Sequence, residues 1–77
     1  MREAIINQIE ELSFIRVSED ELLWTDKILD SITIVELVVF IEIEFGIKVP
    51  NADITESNFN SVNAIVDYIH RSKASSS

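Results

Sequence analysis

Few residues in this chain are able to do covalent chemistry. It has no Cys, and His70 is its single His, so a thiol nucleophile, a thiolate metal site and a histidine-rich zinc centre are all excluded. Hydroxyls and carboxylates remain. Among the hydroxyls Ser31 is distinguished by position, since it follows Asp30 and precedes Ile32 at the start of a long apolar stretch. A Ser at that place ordinarily caps a helix, and Asp30 is a second candidate for the same task. Thr33 and Glu36 have the spacing of a competing capping box, which would start the regular helix two residues later. For Ser31 to act as a hydrolytic nucleophile it needs a positioned base, and His70 falls on the last predicted helix with no third partner. The loop 18–30 lacks the regular oxygen spacing and the Gly of a calcium loop, and a chain of 77 residues leaves little space for an acid–base pocket. No catalytic residue and no metal site are expected, and the chain is expected not to be an enzyme.

The elements that must position Ser31 follow from apolar spacing. Ile5, Ile9 and Leu12 fall at i, i+4 and i+7 and predict a first helix over 3–13. No period persists over 14–29, which reads as a long loop pinned to the core by Phe14, Leu22, Leu23 and Trp24. A second helix is predicted over 31–45. Gly46 suits the left-handed position just beyond its end, and Pro50 prevents immediate resumption. Asp53 and Glu56 have capping-box spacing and predict a short third helix over 54–59. Ser61 is a natural cap for a fourth helix, in which Val62, Ile65, Val66 and Ile69 form the stripe and His70, Arg71 and Lys73 complement the C-terminal dipole. The expectation is all-α: a four-helix bundle with a short third helix and a long loop between helices 1 and 2, one domain over 1–73 and a flexible tail over 74–77.

Composition narrows the partners. Fourteen acids against six Lys and Arg give a net charge of −8, which repels phosphate backbones and anionic membranes and attracts basic protein surfaces. Nucleic acid is not an expected partner. Glu3, Glu10 and Glu11 interrupt the N-terminal apolar residues, so no secretory signal is read there. The longest apolar run, 37–41, is far too short to span a bilayer. A monomeric, cytoplasmic protein without membrane insertion is expected.

At about 100° per residue, the second helix gathers Ile34, Leu37, Val38, Ile41 and Phe45 on one face. That is already an ample core face. Its opposite side gathers Ser31, Ile32, Val35, Val39 and Ile43, with Glu36 and Glu42 along the margins. Two readings fit: a central helix buried nearly all round, or an exposed apolar strip bordered by acids, the composition of a partner-binding surface.

The order of these features is a helix, a long loop, Asp30-Ser31-Ile32, and an acidic helix ending in Glu42-Ile43-Glu44-Phe45-Gly46-Ile47. Val49-Pro50, a short helix and Ser61-Val62-Asn63-Ala64-Ile65-Val66-Asp67-Tyr68-Ile69 complete it. The whole, from Ile5 to Lys73, resembles an acyl carrier protein of the phosphopantetheine-dependent carrier family. The resemblance implies that Ser31 receives a covalent 4′-phosphopantetheine from coenzyme A through a phosphopantetheinyl transferase. Asp30 and Ile32 would complete the attachment motif, with Ile32 in place of the family's usual Leu. It implies further that Val35, Glu36, Val39, Glu42 and Ile43 dock enzymes with basic patches that load, modify and transfer the cargo. Fatty-acid, lipid or polyketide-type acyl groups are the first expectation for that cargo. A D-alanyl or other aminoacyl group, or a cofactor-free acidic interaction domain, is the alternative. Many relatives carry a Gly two or three positions before the motif's Asp, where this chain has Lys27 and Ile28, so the loop approaching Ser31 is expected to follow a different path. Ile43 stands where another acid is common, which makes the strip more apolar and the set of partners narrower.

Overall fold

The computed structural model describes residues 1–75 and folds them into α1 (Arg2–Ser13), α2 (Ser31–Phe45), α3 (Glu56–Phe59) and α4 (Val62–Ser75), with a 3-10 turn at Asn51–Asp53 ahead of α3. No strand occurs among the described residues. The architecture is the all-α bundle of acyl-carrier type, with its long loop between α1 and α2. α1 packs on α2 and α4, and α3 packs on α4.

The stripes read from the sequence are the ones that meet. Ile5 and Ile9 of α1, Leu37 and Ile41 of α2, and Val62, Ile65 and Ile69 of α4 are all fully or almost fully withdrawn from solvent. Phe59 of α3 joins them and lies against Tyr68, with ring centroids 5.4 Å apart. Burial of each large aliphatic side chain contributes about 1.5–3 kcal/mol, and among the described residues no buried polar or charged side chain interrupts the core. Ser61 caps α4 as expected, its Oγ accepting from the Ala64 N–H at 3.1 Å.

Several expectations need correction. Phe14 does not pin the loop: it closes α1 in a left-handed conformation, its N–H donating to the Glu10 carbonyl at 2.8 Å, and its ring is 91% exposed. Leu22 is exposed as well. Leu23 and Trp24 do anchor the loop as expected, Leu23 buried and Trp24 packed at the edge of the core, joined by buried Val17 and Leu29 and by Ile28. Asp53 does not cap α3. It ends the 3-10 turn, its Oδ2 accepts from the Tyr68 hydroxyl at 2.7 Å and its carbonyl accepts from Asn58 Nδ2 at 2.9 Å. With residues 51–53 consumed by that turn, α3 begins at Glu56 rather than at 54. α4 continues through Ser75, past the expected boundary after Lys73, and the rest of the expected tail, Ser76 and Ser77, lies outside the described residues.

Among the described residues three have positive φ: Phe14 at 62°, Lys27 at 57° and Gly46 at 67°. Gly46 serves as foreseen, its N–H donating to the Glu42 carbonyl at 3.0 Å to close α2. Lys27 shows that the approach to Ser31 makes a left-handed turn without a glycine, and an L side chain there costs about 1–2 kcal/mol. Lys27→Gly should therefore stabilise the fold by about 0.5–1 kcal/mol after the added unfolded-chain entropy of Gly is subtracted. A Cβ added at Gly46 would meet nothing within 4 Å, so Gly46→Ala should cost about 1 kcal/mol through backbone conformation alone. Urea midpoints at unchanged denaturant slope measure both.

Candidate functional site

The start of α2 resolves the competition between caps. Asp30 is the cap: its backbone is extended, its Oδ1 accepts from the Thr33 N–H at 2.9 Å, and its own N–H donates to Thr33 Oγ1 at 2.8 Å. The Thr33 hydroxyl donates in turn to Asp30 Oδ1 at 2.8 Å. Thr33 is thus the reciprocal member of a capping box begun by Asp30, not the cap of a box with Glu36. Ser31 is thereby displaced from capping and becomes the first helical residue.

That placement leaves Ser31 chemically available. Its side chain is exposed, and its hydroxyl enters no hydrogen bond among the described residues. It stands at the positive end of a 15-residue helix, where backbone N–H groups and the dipole favour an anion. A phosphodiester on Ser31 Oγ therefore fits the residues present: the oxygen is unengaged and stands at the positive end of the helix dipole, with the ionised Asp30 as the neighbouring opposing charge. Two surface grooves lie elsewhere. One is lined by residues including Gly46, Lys48, Tyr68 and Arg71, and the other by Asn7, Glu10, Glu11 and Phe14.

Asp30 itself is held below the usual carboxylate range, first by the Thr33 backbone N–H and then by the Thr33 hydroxyl, both of which stabilise the ionised form. A carboxyl lowered in the folded state contributes stability that is complete above its unfolded value, about pH 3.9. That contribution is lost as pH falls through the lower folded value. The Thr33 amide proton resonance should accordingly titrate with a midpoint below that of an unfolded Asp. Asp30→Asn, which still accepts from the amide, should abolish the titration while keeping the cap, and a pH series of amide spectra checks both statements.

The apolar strip is exposed, which decides between its two readings. Ile32 is 70%, Val35 54%, Val39 47% and Ile43 79% accessible, while Ile34, Leu37, Val38 and Ile41 on the other face are buried. Ser31 is at the N-terminal end of this strip. Glu36 borders it in solvent. Glu42 is less available than expected, because the chain reverses at Gly46 and brings the Val49 N–H to Glu42 Oε2 at 2.9 Å.

The sequence did not single out Asn60. It lies between α3 and α4, and it ties the loop before α2 through its carbonyl, its Oδ1 and its Nδ2. The available signal was a lone amide between Phe59 and Val62, both buried, at a helix end where Asn often satisfies backbone groups.

With this geometry in hand, residues 29–69 match the family described as the phosphopantetheine attachment site. Among similar proteins, the D-alanyl carrier protein of Streptococcus suis (strain 05ZYH33) is 41% identical over 68 residues, covering 86% of each chain. The D-alanyl carrier proteins of Streptococcus sanguinis (strain SK36) and Streptococcus uberis (strain ATCC BAA-854 / 0140J) are 40% identical over 65 residues and 39% identical over 69 residues. They cover 82% and 87% of this chain, and the same shares of their own lengths. These names agree with the aminoacyl alternative rather than with the fatty-acid, lipid or polyketide expectation.

Proposed function

The chain belongs to the phosphopantetheine-attachment family of carrier proteins, and from that membership we propose that it carries D-alanine as a thioester on an arm attached to Ser31. Membership makes it a non-catalytic protein whose cofactor is covalent 4′-phosphopantetheine. When bound, that group supplies the terminal thiol that the Cys-free chain lacks. The observation that carries the attachment reading is the capped start of α2, which leaves the Ser31 hydroxyl exposed and unengaged.

Each neighbouring residue has a task in this reading. Asp30 spends its carboxylate on the cap, so that Ser31 is held on the helix without having to close it. In attachment, Ser31 Oγ would form a bond to the pantetheine-bearing phosphorus of coenzyme A as the pyrophosphate P–O bond breaks; the serine proton would leave to a base on the transferase and adenosine 3′,5′-bisphosphate would depart. Ile32, Val35, Val39 and Ile43 give partner enzymes an apolar seat beside that oxygen, and Glu36 gives them an orienting charge. Glu42 contributes to docking only in part, since one of its oxygens holds the turn at Val49.

Support for D-alanine comes from the names of relatives that align over most of both chains. The physical fit is straightforward, because a short amino acid bearing an ammonium group needs no apolar chamber. Forming its thioester requires an activated carboxyl group, so the partners are a phosphopantetheinyl transferase, a carboxylate-activating enzyme and an enzyme that passes the aminoacyl group on. No helix among the described residues is long and apolar enough to cross a membrane, and a cytoplasmic carrier loaded from coenzyme A is the setting this reading adopts.

Incubation with coenzyme A and a transferase should add one phosphopantetheine to the wild type and none to Ser31→Ala, as read by intact mass. Cargo released by mild alkaline hydrolysis from the protein purified from its own cells should be D-alanine. A fatty acid released there would overturn the aminoacyl reading and leave the attachment site standing.

Docking gives a separate expectation. Glu36→Lys and Ile43→Ser should each lower the efficiency of transferase modification about fivefold, the worth of an interface anchor of about 1 kcal/mol. The Glu36→Lys defect should shrink as salt rises and that of Ile43→Ser should not, because only the first is screened. Modification rates across a salt series distinguish the two.

A further inference from the structure

The loop that delivers the chain to Ser31 is held at two places on the α3–α4 side of the molecule. Upstream, the Asn63 N–H donates to the Glu19 carbonyl at 3.1 Å and Asn63 Nδ2 donates to Asp20 Oδ1 at 3.0 Å. Downstream, Asn60 collects a denser set. Its carbonyl accepts from the Leu23 N–H at 2.7 Å, its Oδ1 accepts from the N–H groups of Trp24 at 2.9 Å and Thr25 at 3.3 Å, and its Nδ2 donates to Thr25 Oγ1 at 3.1 Å. The Thr25 hydroxyl then donates to Glu56 Oε2 at 2.9 Å, returning the network to α3.

What Asn60 holds leads directly to the site. The Leu23 carbonyl accepts from the N–H groups of both Ile28, at 2.9 Å, and Leu29, at 3.2 Å. Leu29 is buried and is followed by the capping residue Asp30, then by Ser31. The left-handed residue Lys27 lies inside this turn, its N–H donating to the Trp24 carbonyl at 3.0 Å. A strained turn of this kind persists only where its surroundings over-determine it, and the Asn60 side chain supplies acceptor and donor together, as a side-chain amide can.

We propose that Asn60 is a positioning residue for Ser31, acting through the 23–29 turn to fix where the attachment hydroxyl is presented to the transferase; this rests on the reading of Ser31 as the attachment point. The Asn63 tie has no hydrogen-bonded route into residues 28 and 29, so it fastens the loop without aiming its end. The strip that docks the enzyme lies on α2 and is untouched by either amide. Losing Asn60 should therefore slow the chemical step and leave docking as it was.

The experiment compares Asn60→Ala with Asn63→Ala and with wild type in transferase kinetics with coenzyme A. Hydrogen exchange at the Ile28 and Leu29 amides is followed in parallel. For Asn60→Ala, kcat should fall on the order of tenfold to a hundredfold, as expected for a displaced reacting atom. KM should stay within about twofold, the Ile28 and Leu29 amides should exchange faster, and the core amides of Ile9 and Ile65 should not. Asn63→Ala should lose stability with kcat unchanged. An unchanged kcat in Asn60→Ala, a defect confined to KM, or equal kcat losses in both variants would overturn the proposal. If Asn60→Ala does not fold, Thr25→Val removes the acceptor that orients the Asn60 amide and should give a smaller fall in kcat, whose absence would likewise overturn it. Failure of the wild type itself to be modified at Ser31 would overturn the attachment reading, and with it the positioning role.

Discussion

The exchange of hydrogen bonds between Asp30 and Thr33 is the constraint on which the rest of the site depends. A helix must satisfy its first N–H groups, and here Asp30 does so from outside the helix while Thr33 returns a bond to the Asp30 N–H. That reciprocity fixes Ser31 as the first helical residue with its hydroxyl disengaged. Had Ser31 itself been the cap, its oxygen would have been committed to a backbone amide and unavailable for chemistry. The same bonds fix where α2 begins, while its rotation about its axis is set by the packing of Ile34, Leu37, Val38 and Ile41.

Burial then divides α2 into two surfaces with different work. Ile34, Leu37, Val38 and Ile41 close the core against α1 and its neighbours, whereas Ile32, Val35, Val39 and Ile43 remain in water. A run of exposed large aliphatics brings a small domain no folding energy and carries a solubility cost that its net charge of −8 offsets. The arrangement makes sense for a protein whose partners must find one serine. In the proposed reading, apolar contact would seat them beside it and the acidic surface would orient their approach.

Much of this was legible in the residues. Four helices followed from apolar spacing, Gly46 and Ser61 served at the helix ends where their chemistry placed them, and Asp30-Ser31 falls at the start of α2 as read. What could not be read has particular causes. Apolar character alone placed Phe14 and Leu22 in the core, yet Phe14 is turned outward by a left-handed backbone that the sequence does not announce. Asp53 carried a capping-box spacing, but a tertiary partner, the Tyr68 hydroxyl, claimed its carboxylate. Periodicity gave α2 two apolar faces without telling which was covered, since that depends on how many elements pack against it. Asn60 was invisible for the opposite reason: its significance lies in groups 35 to 37 positions away along the chain, and no local pattern encodes such a contact.

The approach to Ser31 shows how a missing glycine is absorbed. A left-handed turn falls where the family resemblance implies a Gly, and this chain makes it with Lys27 at φ 57°. A backbone strained by about 1–2 kcal/mol relaxes unless neighbouring groups hold it. Here they do so on both sides: Leu29 and Leu23 are buried in the core, and the Leu23 carbonyl and the amides around it are saturated from within the turn and from Asn60. Hydrogen bonds that would add little net stability at the surface instead determine where a single hydroxyl is displayed, which for a carrier matters more than how stable its loop is.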